Sequence, residues 1–87
     1  MAEGAKPKKK PVARFYLMER RYELNITQAR VATLARIEPI VYNQIENGKR
    51  GNCMSAPKLI ALAGALEWRV ETLVAKEAKY LEQIGKT

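Results

Sequence analysis

The sequence contains no histidine and no aspartate, and a single cysteine, Cys53, in 87 residues. Without histidine or aspartate, neither a Ser-His-Asp nor a Cys-His constellation can be assembled, and zinc-ligand clusters lack their usual material. The five glycines, Gly4, Gly48, Gly51, Gly64 and Gly85, never take the spacing of a phosphate-binding loop. These absences argue against an enzyme and against any cofactor or metal. One cysteine permits no intramolecular disulfide, which fits a reducing compartment, and Cys53 reads as a buried or idle thiol. The basic N-terminus is not followed by an apolar run of signal-peptide length, and no stretch approaches the ~20 apolar residues of a membrane span. The expectation is a cytoplasmic protein with no membrane partner.

Aromatic residues are also scarce, at 7%, while hydrophobic residues make up 47%, so a core must be built from Leu, Ile, Val and Ala. Those residues fill helical bundles, and the expected fold is all-α. The length suits one compact domain with tails. Sixteen Lys and Arg against nine acids leave a formal charge of +7, a strong field on so small a surface. A polyanion is the natural partner, with nucleic acid first and an anionic membrane second.

Residues 1–12 place Lys6, Lys8, Lys9 and Lys10 between or beside Pro7 and Pro11 and read as a flexible basic arm ahead of a domain over 13–87. Phe15, Met18 and Tyr22 fall on one helical stripe, which predicts a first helix ending near Leu24, with Asn25 as its stop. Thr27 is a good N-cap for a second helix, placed over 27–35, whose inner face is Val31, Ala32 and Ala35. Pro39 opens a third helix over 39–47, and Gly48 ends it. Residues 49–54 form a loop, and Ser55 caps a fourth helix with the stripe Leu59, Leu62, Ala63 and Leu66. A fifth helix over about 70–84 repeats the period through Val70, Leu73, Val74, Leu81 and Ile84, with Glu and Lys on its other side. That stripe is either a core face or, because it runs longer than a small core requires, a homodimer interface using Leu73, Tyr80, Leu81 and Ile84.

The second and third helices are both short and are joined by about three residues, an arrangement that lays the later helix into a DNA major groove. Here the sequence resembles the lambda-repressor and Cro type of helix-turn-helix, the XRE-like family. The resemblance rests on Gln28, on Ala32 four residues later, on Ile37 after the turn, and on Ile45. It extends through Glu46-Asn47-Gly48-Lys49-Arg50 and Leu62-Ala63-Gly64-Ala65-Leu66, and covers roughly residues 14–74. It implies a five-helix lambda-repressor-like domain that binds duplex DNA as a homodimer, most often as a repressor on a palindromic operator. Two positions depart from the family pattern: Arg36 stands where glycine is usual, and Tyr42 where an aliphatic residue is buried.

With Ile37, Tyr42 and Ile45 facing inward, Ile40, Asn43, Gln44 and Asn47 face outward. Asn43 and Gln44 are the expected base readers, since an amide pairs bidentately with adenine N6 and N7, and Ile40 offers a methyl surface to thymine. Ile40 and Val41 can equally be core residues of a slightly rotated helix. The resemblance puts Gln28 against a phosphate, Asn47, Lys49 and Arg50 on the DNA backbone, and Arg21 in an ion pair with Glu46. Lys8, Lys9 and Lys10 belong either to an arm that wraps the duplex or to a solvated tail. A competing reading is a protein-interaction module, such as an antitoxin or bridging factor, for which the apolar Pro39, Ile40 and Val41 face supplies the contact.

Overall fold

The structure, a computed structural model, describes residues 11–85. Lys8, Lys9 and Lys10 lie outside the described residues. Five helices follow one another: α1 (Phe15–Leu24), α2 (Gln28–Ala35), α3 (Pro39–Glu46), α4 (Ala56–Ala65) and α5 (Val70–Gln83). Their starts follow from local chemistry. The Thr27 hydroxyl accepts from the Arg30 amide at 3.1 Å and the Ser55 hydroxyl from the Lys58 amide at 3.4 Å. Pro39 and Pro57 sit in first turns, where a missing amide costs nothing.

Helices α1 to α4 end in one way. A single residue turns left-handed, and the next amide folds back onto a carbonyl of the last turn. The amides of Ile26, Ile37, Lys49 and Trp68 reach Arg21, Ala32, Gln44 and Ala63 at 2.9 to 3.1 Å. The left-handed residues are Asn25, Arg36, Gly48 and Glu67. Asparagine and glycine suit this conformation, whereas a longer side chain crowds the following carbonyl and costs about 1–2 kcal/mol. The departure at Arg36 is thus absorbed as strain, with φ at 59° and both fold-back bonds kept. Because glycine also loosens the unfolded chain, Arg36→Gly should gain a net ~0.5–1 kcal/mol. A thermal melt checks this: a rise of about 4 °C is expected, and a fall would contradict it.

Leu17, Val31, Ala32, Tyr42, Ile45, Leu62, Leu66 and Leu73 form a core without solvent contact. The small inner face of α2 lets it pack closely on α4 and α3, and α4 in turn packs on α5. Two stripes differ from the hydrophobic reading. On α1, Phe15 and Tyr22 are exposed, and the inward stripe is Arg14, Leu17 and Arg21. On α5 the inward stripe is Leu73, Glu77 and Tyr80. Leu73 and Tyr80 therefore face the domain and have no side-chain surface for a second copy, a correction to the expected interface. Both inward stripes carry buried charges that pair: Arg21 with Glu46 of α3, and Arg14 with Glu77 of α5.

Candidate nucleic-acid interface

The exposed edge of α3 is held from beneath by a carboxylate. Glu46, in the last turn of α3, is fully buried and accepts four hydrogen bonds. The Arg21 guanidinium donates twice, from Nε to Oε2 at 2.7 Å and from Nη2 to Oε1 at 3.0 Å. The Tyr42 hydroxyl donates to Oε2 at 2.8 Å, and Gln28 Nε2 to Oε1 at 2.6 Å. Four donors fill the acceptor capacity of a carboxylate. Tyr42 finds its partner four residues along its own helix, so its hydroxyl costs nothing in the core. Burial alone would push the Glu46 carboxyl up, but the bonds from Arg21, Gln28 and Tyr42 outweigh it and hold it below the usual carboxylate range. Burial and the Glu46 charge push the Tyr42 hydroxyl up, which keeps its proton in place as a donor.

That carboxylate orients the amides above it. Glu46 can only accept, so Gln28 must turn its nitrogen inward and its oxygen outward. The outward Oε1 then accepts from Asn43 Nδ2 at 3.1 Å, and Asn43 Oδ1 accepts from Asn47 Nδ2 at 3.2 Å. Each amide in this relay is held in orientation and keeps one N–H without a partner among the described residues. Such an edge can donate to acceptor oxygens of a ligand. Asn43, with its oxygen and one N–H already engaged, cannot make a bidentate amide contact without breaking the relay. Gln44 is half-buried and its side chain makes no hydrogen bond among the described residues, so both of its amide groups remain open. Ile40 is 66% exposed, whereas Val41 packs partly against the core.

A second buried charge fixes the loop after α3. Arg14 has no exposure, and all five of its guanidinium N–H groups are used. Nε and Nη2 donate to the two oxygens of Glu77 at 2.8 and 2.7 Å. Nη1 donates to the Ile45 and Arg50 carbonyls at 2.7 and 2.8 Å, and Nη2 to Asn52 Oδ1 at 3.0 Å. Tyr16 donates to the same Glu77 carboxylate. The loop bearing the exposed Lys49 and Arg50 is therefore tied to α1 and α5. The structure joins Gln28, at the start of α2, to Asn43 and Asn47 along one edge, and the exposed Lys49 and Arg50 follow beyond Gly48 in the loop after α3.

The sequence reading missed Arg14, Tyr16, Asn52 and Glu77. A signal was present: Glu77 interrupts the α5 stripe that runs through Val70, Leu73, Tyr80 and Ile84, and an acid inside an apolar stripe requires a partner. Beside that stripe on α5, Val74, Ala78 and Leu81 join Met54 and Leu59 in a largely apolar groove of about 220 Å³, whose lining also includes Glu77, Asn52 and the exposed Cys53. Among the described residues no helix is long and apolar enough to cross a membrane, and no group of three potential metal ligands comes together. No protein-family model and no curated protein sequence matches the chain.

Proposed function

We propose that this protein is a sequence-specific duplex-DNA-binding regulator of transcription, of the lambda-repressor type, that acts as a homodimer on a two-fold operator. The observation that carries the reading is the edge of α3. A short helix braced by a filled buried carboxylate offers oriented amides and one free glutamine, beside a loop with two adjacent cations, on a chain of charge +7. Gln44 is the base reader, suited to bidentate pairing with adenine, and Ile40 offers apolar contact to a thymine methyl. Asn43, Gln28 and Asn47 direct their free N–H groups to acceptors, with Gln28 at the α2 N-terminus placed for a phosphate. Lys49 and Arg50 add backbone contacts, and Lys8, Lys9 and Lys10 extend them.

Selection of duplexes from a random pool, followed by titration at moderate salt, tests the reading. A recovered two-fold sequence bound at least ~10³-fold above bulk DNA is the expected outcome. Binding that ignores sequence would overturn it.

Useful specificity from so small a domain requires two copies spaced by about one helical turn, ~34 Å. The surface we assign to that contact is the groove of Val74, Ala78, Leu81, Met54 and Leu59, in place of Leu73 and Tyr80. Val74→Glu, on a residue 43% exposed, should yield a monomer in sedimentation and lose affinity for a two-half-site duplex while keeping its melting temperature. An unchanged dimer would place the contact elsewhere.

One observation favours the protein-interaction reading. Ile40 is 66% exposed at the start of α3, with Leu34 46% exposed at the end of α2, and large apolar side chains in the open suit a protein partner. Stable co-purification of a partner protein together with sequence-blind DNA binding would favour it.

A further inference from the structure

Helix α5 has two different flanks beside its buried stripe. One borders the groove of Val74 and Leu81. Along the other, Arg69, Thr72, Lys76, Lys79 and Gln83 recur at helical spacing with no acid among them. The exposed acids of the helix, Glu71 and Glu82, fall on a separate stripe with Ala75 and Ala78. Lys76, Lys79 and Gln83 meet Phe15 and Tyr16 in a cleft of about 240 Å³ between α1 and α5, and no carboxylate lines it. Phe15 is 62% exposed there. The acids of α1, Glu19 and Glu23, are outside that lining, and Glu23 is paired with Arg20 at 3.0 Å.

The cleft has a braced wall. The Tyr16 ring stacks on Trp68 with centres 6.2 Å apart, and its hydroxyl donates to Glu77. Arg20 donates to the Leu66 and Glu67 carbonyls at 2.9 and 3.1 Å and lies 5.4 Å from the centre of the Trp68 ring. Lys76 Nζ lies 5.4 Å from the same centre, so its ammonium is held over an aromatic face. Neither Lys76 nor Lys79 has an ion-pair partner among the described residues.

We propose that this cleft is a docking site for an acidic peptide segment of a partner protein, with a large apolar side chain of the segment seated against Phe15 and its carboxylates on Lys76 and Lys79. The inference goes beyond the DNA-binding reading and does not depend on it, and the face is a different one from Pro39, Ile40 and Val41. Charge complementarity fixes the sign of the partner, since the lining offers cations and no acid of its own. Phe15 selects a peptide over a duplex: phosphates would match the lysines but leave the ring in water, whereas aromatics beside cations are the composition of protein contacts. The volume lies below the ~300 Å³ at which small-molecule pockets begin and suits side chains of a peptide. No lining residue belongs to α2, α3 or the Lys49–Arg50 loop, so the seat is built without the amide edge.

The test selects a displayed library of random peptides on the full chain. Recovered peptides, labelled with a fluorophore, are then titrated against the parent, Phe15→Ala, and Lys76→Glu combined with Lys79→Glu. Enrichment of acids flanking a large apolar residue is expected. Phe15→Ala should weaken a recovered peptide about tenfold, the effect of removing an interface anchor. The double charge reversal should weaken it about tenfold or more, and raising salt should weaken the parent complex. Melting temperatures should hold, because all three side chains are exposed. Recovered peptides that lack acids, or that the variants bind as well as the parent does, would overturn the proposal, as would a selection without enrichment. Affinity for a random-sequence duplex that falls in the double variant, with no acidic peptide recovered, would assign the lysines to a nucleic-acid backbone and overturn it too. So would a parent dimer abolished by Phe15→Ala, which would give the cleft to a second copy. An acidic peptide bound at this cleft by a chain indifferent to DNA sequence would sustain the docking site while sinking the regulator reading.

Discussion

Arg14→Met is expected to remove a large share of the domain's stability. The substitution strands the Glu77 carboxylate, 7% exposed, and leaves the Ile45 and Arg50 carbonyls and Asn52 Oδ1 without their donor. Removing one member of a buried pair costs about 3–5 kcal/mol because the remaining charge is uncompensated. A domain of this size has roughly 5–15 kcal/mol in total, so the loss is a large share of the whole. The melting temperature should fall by about 12 °C or more. Arg14→Met combined with Glu77→Met should recover part of the loss, since no charge is then stranded, but not all of it, because the loop oxygens stay unpaired. A fall of less than ~4 °C for the single variant would mean that the guanidinium does not hold the loop.

Glu46→Gln should be nearly as costly and should carry a pH signature. The neutral amide strands the Arg21 charge and offers Gln28, Tyr42 and Arg21 one acceptor oxygen where the carboxylate offered two, so a loss of about 3 kcal/mol is expected. The folded-state carboxyl is depressed from its ordinary value of 4.5. A depressed carboxylate contributes stability that is present above that ordinary value and is lost as pH falls through the lower folded one. Denaturation midpoints should therefore decline in the parent below about pH 4.5, and the variant should lose that share of the acid sensitivity. Parallel pH profiles for the two proteins would contradict the four-donor site.

The helices were legible because their ends carry strong local chemistry. Thr27, Ser55, Pro39 and Gly48 each fix a boundary through one cap, one missing amide or one left-handed residue. The inner faces of α2 and α4 were legible for another reason, since Val31, Ala32, Leu62 and Leu66 are apolar on one side only. The inner face of α1 was legible only at Arg21, through the resemblance that pairs it with Glu46, because a rule that sends apolar residues inward selects Phe15 and Tyr22 over Arg14 and Arg21. The energetic term that decides this helix is the satisfaction of two glutamates supplied by α3 and α5, far away in sequence, and no local pattern on α1 records it. At the α3 edge, residue identities and outward phase could be read from spacing. The relay that engages Asn43 and leaves Gln44 open could not, because it depends on which way Glu46 turns Gln28.

Helix α1 thus acts as a two-point brace. Arg14 and Arg21 lie two turns apart on one stripe, with Leu17 between them, and each closes on a carboxylate that also takes a tyrosine hydroxyl. One brace sets the end of α3 and the other sets the loop beyond it. A short helix of eight residues has little stability of its own, and its rigidity comes from this packing. Under the proposed function, rigidity at this edge matters because base discrimination relies on amide groups already placed for two hydrogen bonds.

The most direct measurement compares the parent with Gln44→Ala on a selected duplex, on single-base variants of it, and on bulk DNA. A good bidentate contact contributes about 1–3 kcal/mol of discrimination, or roughly 5- to 150-fold. Loss of that factor at one adenine position, with binding to bulk DNA unchanged, is the predicted result. A Gln44→Ala protein that binds the selected duplex as tightly and as selectively as the parent would contradict the assignment of α3 as the reading helix.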